Sequence, residues 1–262
     1  MKAAILCGGR GTRLREVSET LPKPMVPIGD RPIIWHIMKI YAAHGVNEFV
    51  LLLGYKGEII RDYFLNYAAL AADVTVDLMQ SGENRLTFHK NVTEDWKVTL
   101  VDTGLNAMTG ARLRRARHHL EGDDMFLATY GDGVGDVNVT GLIDYHKSHG
   151  KTATLSGMYP PGRFGELEVS DGTVMAFNEK PQVSGGRING GYFAFNRNFF
   201  DDYLDDSENL VLEEAPMRGL SQNRDLKMFE HDGFWMPMDT PREHSLLNGL
   251  WDKGTAPWKV WS

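Results

Sequence analysis

Met1-Lys-Ala-Ala-Ile-Leu-Cys-Gly-Gly-Arg-Gly-Thr-Arg-Leu14, followed by Lys23-Pro-Met-Val-Pro27, is the stretch that decides the fold. Ala3 to Cys7 is a short apolar run that reads as a buried strand. It passes directly into Gly8, Gly9 and Gly11. Glycines placed just after a strand let backbone N–H groups approach an anion and line a phosphate cradle. Arg10, Arg13 and Arg15 set cations beside that cradle, and Lys23 follows a few residues on. The loop is not a Walker A sequence, because no Gly-Lys-Ser/Thr follows. It is not the dinucleotide fingerprint either, because Leu14 stands where the third glycine would be. A triphosphate-binding strand and loop is the reading, with an ordinary glycine-rich turn as the alternative.

Outward from that loop, strand and helix signals alternate. Pro32 is placed to start a helix, Ile33, Ile34, Ile37, Met38 and Tyr41 repeat at helical spacing, and Gly45 ends it. Glu48 to Leu53 is an apolar strand, Lys56 to Tyr67 a helix, and Val74 to Met79 a strand. This β-loop-α-β-α-β order predicts an α/β fold with a mostly parallel, Rossmann-like sheet. Gly82 to about residue 104 reads as a small β insertion, in which Arg85 to His89 and Lys97 to Asp102 alternate like half-buried strands. Gly110 to Leu120 is a basic helix whose Arg114, Arg115 and Arg117 suit a solvated face. Strands at Met125 to Tyr130 and Ala153 to Met158 flank a helix that Asn138 can cap.

Beyond about residue 160 lies a C-terminal α/β elaboration. Gly165 to Glu179 reads as a hairpin about Asp171-Gly172. Asn189 to Phe195 is a strand, helices follow near Asn198 to Leu204 and Glu213 to Ser221, and Leu226 to His231 is a strand. Trp235 to Met238 is a further short strand, and Pro241 starts a final helix. The tail Trp258 to Trp261 is apolar and expected to dock on a partner. No linker is long enough to separate independent units, so residues 1–262 read as a single domain.

Composition bounds the function classes. The chain has 262 residues, 42% hydrophobic and 24% charged, which is ordinary for a globular domain. Its net charge of −7 gives no basic field for nucleic-acid backbones, so a polyphosphate must be held by local cations and metal. Cys7 is the single cysteine and reads as a small buried hydrophobe; an intrachain disulfide is impossible. With no apolar run of membrane-span length and no signal peptide, the expectation is a cytoplasmic protein without a membrane partner.

Asp132 and Asp239 each follow a strand. In open α/β sheets ligands bind outside the carboxyl ends of strands. Two aspartates converging there on a polyphosphate suit Mg²⁺, which takes few carboxylates plus phosphate oxygens and waters. Each has a plainer alternative: an Asp-Gly turn at 132, a helix cap at 239. In Glu179-Lys180-Pro181 the lysine can reach an anionic substrate, or the segment is a surface turn. Asn189-Gly190-Gly191 opens a strand with residues small enough to admit a sugar.

The loop Gly8-Gly9-Arg10-Gly11-Thr12-Arg13-Leu14 with Lys23-Pro24 resembles the signature of the sugar-1-phosphate nucleotidylyltransferases. Asp132, Glu179-Lys180-Pro181 and Asn189-Gly190-Gly191 fall in that family's order. Longer runs are similar to its cytidylyl branch, among them Trp35-His-Ile-Met-Lys39, Val98-Thr-Leu-Val-Asp-Thr-Gly104, Tyr130-Gly-Asp-Gly133, Pro237-Met-Asp-Thr240 and Lys253-Gly-Thr-Ala-Pro-Trp-Lys259. One run departs, with Ala111 in Met108-Thr-Gly-Ala-Arg-Leu113 where the family has glycine.

The resemblance implies a cytidylyl transfer from CTP to glucose 1-phosphate, with Mg²⁺ as cofactor, in a homo-oligomer. It assigns Gly8, Gly9, Gly11, Thr12, Arg13, Gly110, Arg112 and Asp132 to the nucleotide. Arg13, Lys23 and Lys180 become the catalytic cations, and Asp132 and Asp239 the metal ligands. Glu179, Lys180, Asn189 and Gly190 go to the sugar phosphate. UTP or another sugar 1-phosphate is the nearest alternative, and a nucleotide-binding subunit without turnover a more distant one.

Overall fold

The computed structural model describes residues 1–10, 20–79, 85–89, 94–160, 166–170, 173–178 and 186–261. Inside its main sheet runs β1 (Lys2–Leu6), with strands on both sides. Successive side chains of a strand point to opposite faces. Accordingly Ala3 and Ile5 enter one apolar layer, and Ala4 and Leu6 the other. Six more strands complete the main sheet: β2 (Glu48–Leu53), β3 (Lys97–Asp102), β4 (Met125–Tyr130), β5 (Ala153–Met158), β6 (Ile188–Asn196) and β7 (Leu226–His231). Their order across the sheet is β7-β5-β6-β4-β1-β2-β3. Parallel pairings join β1 to β2, β1 to β4, β2 to β3 and β5 to β7. Only β6 runs against its neighbours β4 and β5.

A mostly parallel sheet must be covered on both faces. On one face lie α1 (Ile33–Ala43), α2 (Gly57–Leu65), α4 (Val139–His149) and α6 (Pro241–Asp252), through Ile37, Ile60, Leu142 and Leu247. On the other lie α3 (Thr109–Arg115) and α5 (Ala215–Gln222), through Ala111, Leu113 and Leu220, with Phe199 and Phe200 beside them. Local signals set the ends of these helices. Asn138 accepts the Gly141 N–H at the start of α4, and Gly150 closes it in the left-handed region at φ 63°.

The path of the chain decides where a ligand can sit. From β1 it winds out to β2 and β3, then returns to place β4 on the opposite side of β1. The order therefore reverses between β1 and β4. Their carboxyl ends lead into Cys7-Gly8-Gly9 and Gly131-Asp132, and a crevice opens at such a switch point.

Two expectations need correction. Val74–Val76 does not continue the parallel sheet; it pairs antiparallel with Leu86–Phe88 in a separate ribbon. The strand that extends the sheet is Lys97–Asp102, which the sequence pattern assigns to the insertion. Both segments alternate, but only Lys97–Asp102 has a neighbour, β2, whose backbone edge is open to it. The second correction is the tail. Trp258 is fully buried against Trp251, Phe234 and His36 of its own chain, so it is core and not a docking surface. Glu166–Ser170 pairs antiparallel with Thr173–Asn178, as expected for the two arms of the hairpin, and the Asp171-Gly172 turn lies outside the described residues.

Candidate active site

A cavity of about 660 Å³ opens at the switch point. Its floor is the end of β1 and the glycine loop as far as Arg10; Tyr130, Gly131 and Asp132 from the end of β4 form one wall. Leu105 to Thr109 and Arg112 close the opposite side, and Lys23, Pro24 and Asp239 line the rest.

Small residues shape the floor. Gly131 donates its N–H to the Leu6 carbonyl, and a Cβ there would lie 2.9 Å from that oxygen. Gly8 and Gly54 both lie flat against the Arg112 guanidinium, leaving no room for a side chain at either position. Cys7 is buried beneath the loop, and that burial raises its thiol well above the usual range, so it stays neutral.

Lys23 lies in a single 3-10 turn, Lys23–Met25, preceded by Pro22 in extended conformation. Its ammonium donates to Asp132 Oδ2 at 2.7 Å and also to Asp239 Oδ1. Burial alone would lower the lysine pKa, but Asp132 and Asp239 outweigh it, and the pKa is raised. The two aspartates, 107 positions apart in sequence, are joined by a short ribbon. Gly133–Gly135 pairs antiparallel with Trp235–Pro237, and the Met238 N–H donates to the Asp132 carbonyl at 2.8 Å. Asp239 does not cap α6. Thr240 takes that place, accepting the Glu243 N–H while the Glu243 carboxylate accepts from the Asp239 and Thr240 N–H groups. The capping box leaves the Asp239 carboxylate directed at Lys23. Two hard oxygen donors converging on one cation form a donor set that fits Mg²⁺.

Arg112 is buried, and its fork holds the loops around the cavity. One terminal nitrogen donates to the Leu53 carbonyl at 2.9 Å, Thr103 Oγ1 at 2.8 Å and the Gly104 carbonyl at 2.8 Å. The other donates to the Gly8 carbonyl at 3.0 Å. Gly110 stands behind the wall, packed on Leu210, and does not line the cavity. The methyl of Ala111, the one departure from the family run, points into the apolar layer and away from the cavity.

On the far side of β4, Asn189, the second residue of β6, donates to the Tyr130 hydroxyl at 3.3 Å. Gly190 is buried against Met158. Of the expected site residues, Gly8, Gly9, Lys23, Arg112, Asp132 and Asp239 meet at the cavity, and Asn189 adjoins it through Tyr130. Gly11, Thr12, Arg13, Glu179 and Lys180 lie outside the described residues. Sequence reasoning missed Tyr130, Thr109 and Glu213 as site residues. Tyr130 donates to Glu213 Oε1, and Thr109 donates to Glu213 Oε2 at 2.7 Å. Nothing local in the sequence marks Glu213, because its partners lie 83 and 104 positions away.

A nucleotidyl transferase family model matches residues 2–248. Over 261 residues, covering all of both chains, the sequence is 50% identical to glucose-1-phosphate cytidylyltransferase of Salmonella typhi. The enzyme of that name from Salmonella typhimurium is likewise 50% identical over the full length of both chains. Among solved structures, HddC from Yersinia pseudotuberculosis superposes with a TM-score of 0.67 at 22% identity, covering 95% of this chain and 99% of that one.

Proposed function

The chain belongs to the nucleotidyl transferase family, and from that premise we propose that it joins CTP to α-D-glucose 1-phosphate, giving CDP-glucose and pyrophosphate. The observation that carries this reading is the cavity at the switch point, where the glycine loop, Lys23, Asp132 and Asp239 meet. The full-length 50% identity to curated cytidylyltransferases supports the choice of base and sugar.

The chemistry follows from charge. The acceptor is a phosphate oxygen that is already an anion, so no general base is required. That oxygen forms a bond to the α-phosphorus of CTP while the bond to the β-phosphate oxygen breaks, and pyrophosphate leaves with the electron pair. The obstacle is repulsion between two polyanions. Lys23 presents a fully protonated ammonium at the phosphate end of the cavity. Backbone N–H groups of the Gly8–Gly9 loop cradle the phosphates. Arg13 and Lys180 complete the cationic set, with Lys180, Glu179 and Asn189 on the sugar phosphate. Asp132 and Asp239 would hold Mg²⁺, which when bound neutralises phosphate charge and orients the triphosphate. Holding both reactants in line accounts for most of the remaining acceleration.

Arg112 frames the nucleotide end by tying the Gly8 carbonyl to Leu53 and Gly104. The base then meets the backbone of the Leu105 to Thr109 segment. Cytosine and uracil present opposite donor and acceptor patterns on one edge. Fixed backbone groups that pair with one are left unpaired by the other, a basis for strong discrimination.

The buried thiol of Cys7 suits a reducing, cytoplasmic setting. No described helix is long and apolar enough to cross a membrane. Assembly into a homo-oligomer is supported by the ribbon near Val74–Val76, where Leu78 and Met79 are 80% and 96% exposed beside Leu86 and Phe88.

A competition assay tests the reading. The protein is given equal CTP and UTP with glucose 1-phosphate and Mg²⁺, and products are separated by mass. CDP-glucose is expected in excess by about two orders of magnitude. Equal amounts of CDP-glucose and UDP-glucose would contradict the cytidylyl assignment.

A further inference from the structure

Four hydrogen bonds cross the site outside the phosphate end. Thr109, the first residue of α3, lines the nucleotide cavity and donates to Glu213 Oε2 at 2.7 Å. The same hydroxyl accepts the Leu212 N–H at 2.9 Å, so Glu213 is fixed to α3 by its backbone neighbour as well. Tyr130, the last residue of β4 and also a cavity residue, donates to Glu213 Oε1. The Tyr130 oxygen in turn accepts from Asn189 Nδ2 at 3.3 Å. Asn189 is oriented for this, because its Oδ1 accepts the Gly191 N–H at 2.9 Å, with Gly191 at φ 79°. Burial, and then the Glu213 charge, raise the Tyr130 phenol well above its ordinary range, so it remains a donor at neutral pH.

These bonds connect elements that carry different halves of the reaction. Thr109 belongs to the nucleotide wall, whereas Asn189 lies at the start of β6 and is given to the sugar phosphate by the proposed function. Both Glu213 oxygens are engaged, each by a hydroxyl from a different element. We propose that Glu213 is a positioning residue that ties Thr109 to Tyr130 and, through Tyr130, to Asn189, fixing the sugar phosphate in line with the nucleotide. The proposal rests on the cytidylyltransferase reading and extends it. Hydroxyl-to-carboxylate bonds are short and charge-assisted, and a network ordered from both ends loses more than one bond when its centre is removed. The carboxylate is exposed and contributes little to the core, so its effect falls on alignment and not on folding.

The test uses the full chain as wild type, Glu213→Gln, Tyr130→Phe and the double variant. Glu213→Gln is isosteric but cannot accept from both hydroxyls as the carboxylate does. Either single change is expected to raise KM for glucose 1-phosphate about tenfold, the scale of a small misalignment, with the Kd for CTP within about twofold and the melting temperature unchanged. The double variant is expected to be no worse than about twofold beyond the weaker single, because both changes break one connection. A KM for glucose 1-phosphate that stays at the wild-type value in Glu213→Gln would overturn the proposal. So would multiplicative losses in the double variant, or a parallel drop of melting temperature, kcat and both substrate constants. A wild-type protein that makes no sugar nucleotide would overturn the functional reading and this proposal with it. An active wild type matched by Glu213→Gln would overturn the proposal alone.

Discussion

Lys23 shows how a single side chain can organise the site. Its ammonium bridges Asp132 and Asp239, and neither partner is near it in sequence. A carboxylate-to-amide change keeps the shape of either aspartate but removes a charge that a hard cation requires. Asp132→Asn or Asp239→Asn is therefore expected to lower kcat by more than about a hundredfold, the scale of one missing electrostatic stabiliser, with the circular dichroism spectrum unchanged. Near-wild-type turnover at saturating Mg²⁺ would place the metal elsewhere. Arg112 supports a second expectation. Lysine keeps its charge but cannot hold the Leu53, Thr103, Gly104 and Gly8 oxygens with one planar fork. Arg112→Lys should weaken CTP binding about as much as Arg112→Ala, as read by calorimetry. A lysine variant that binds like wild type would mean that charge alone matters. At this scale the sequence was legible where spacing to a strand end decides position, as for Gly8, Asp132 and Asp239. It was not legible for Glu213, whose role comes from tertiary contacts.

Elements were legible where their signals are local. Glu48–Leu53, Met125–Tyr130 and Ala153–Met158 form as read, because mainly apolar runs bounded by turn residues leave little choice, and Leu226–His231 also forms as read. Val74–Val76 and Lys97–Asp102 exchanged roles because pairing depends on which strand edge is free, and no local pattern records that. The C-terminal segment illustrates a different override. An apolar tail reads as exposed until its receptor is known, and here the receptor is α1. The Trp258 indole N–H donates to His36 Nδ1 at 3.4 Å, and His36 Nε2 donates to the Ile28 carbonyl at 2.9 Å. The ring is thus held neutral. Burial is the main cause, partly offset by the Ile28 carbonyl and Asp30 and reinforced by the Arg31 charge, and the pKa falls to about 4. An unfolded histidine takes up its proton near pH 6.5, above the folded value. The unfolded chain therefore binds more protons between these limits. The stability from this group is fully present above about pH 6.5 and is lost as pH falls toward about 4, on the order of 3 kcal/mol in all. The urea midpoint should drop over that range, and His36→Gln should flatten the drop. A pH profile that is the same in both proteins would remove His36 from the account.

For the whole molecule, the sheet order matters more than any one motif. Placing β4 beside β1 brings Gly131 and Asp132 against the glycine loop, and the ribbon Gly133–Gly135 with Trp235–Pro237 then delivers Asp239. Most of this α/β plan was readable from alternating strand and helix signals. The antiparallel β6 was not, because direction is set by the connection across β5 and not by side-chain pattern. The assembled cavity brings the glycine-loop end and the Tyr130–Asn189 side together on adjacent strands. That geometry calls for one direct displacement at the α-phosphorus, with no enzyme nucleophile between donor and acceptor. The stereochemical course measures this most directly. With CTP carrying sulfur at the α-phosphorus in one configuration, the sugar nucleotide formed is read by phosphorus NMR. A single in-line displacement predicts inversion at that centre, whereas retention would contradict the account by requiring a covalent intermediate on the protein.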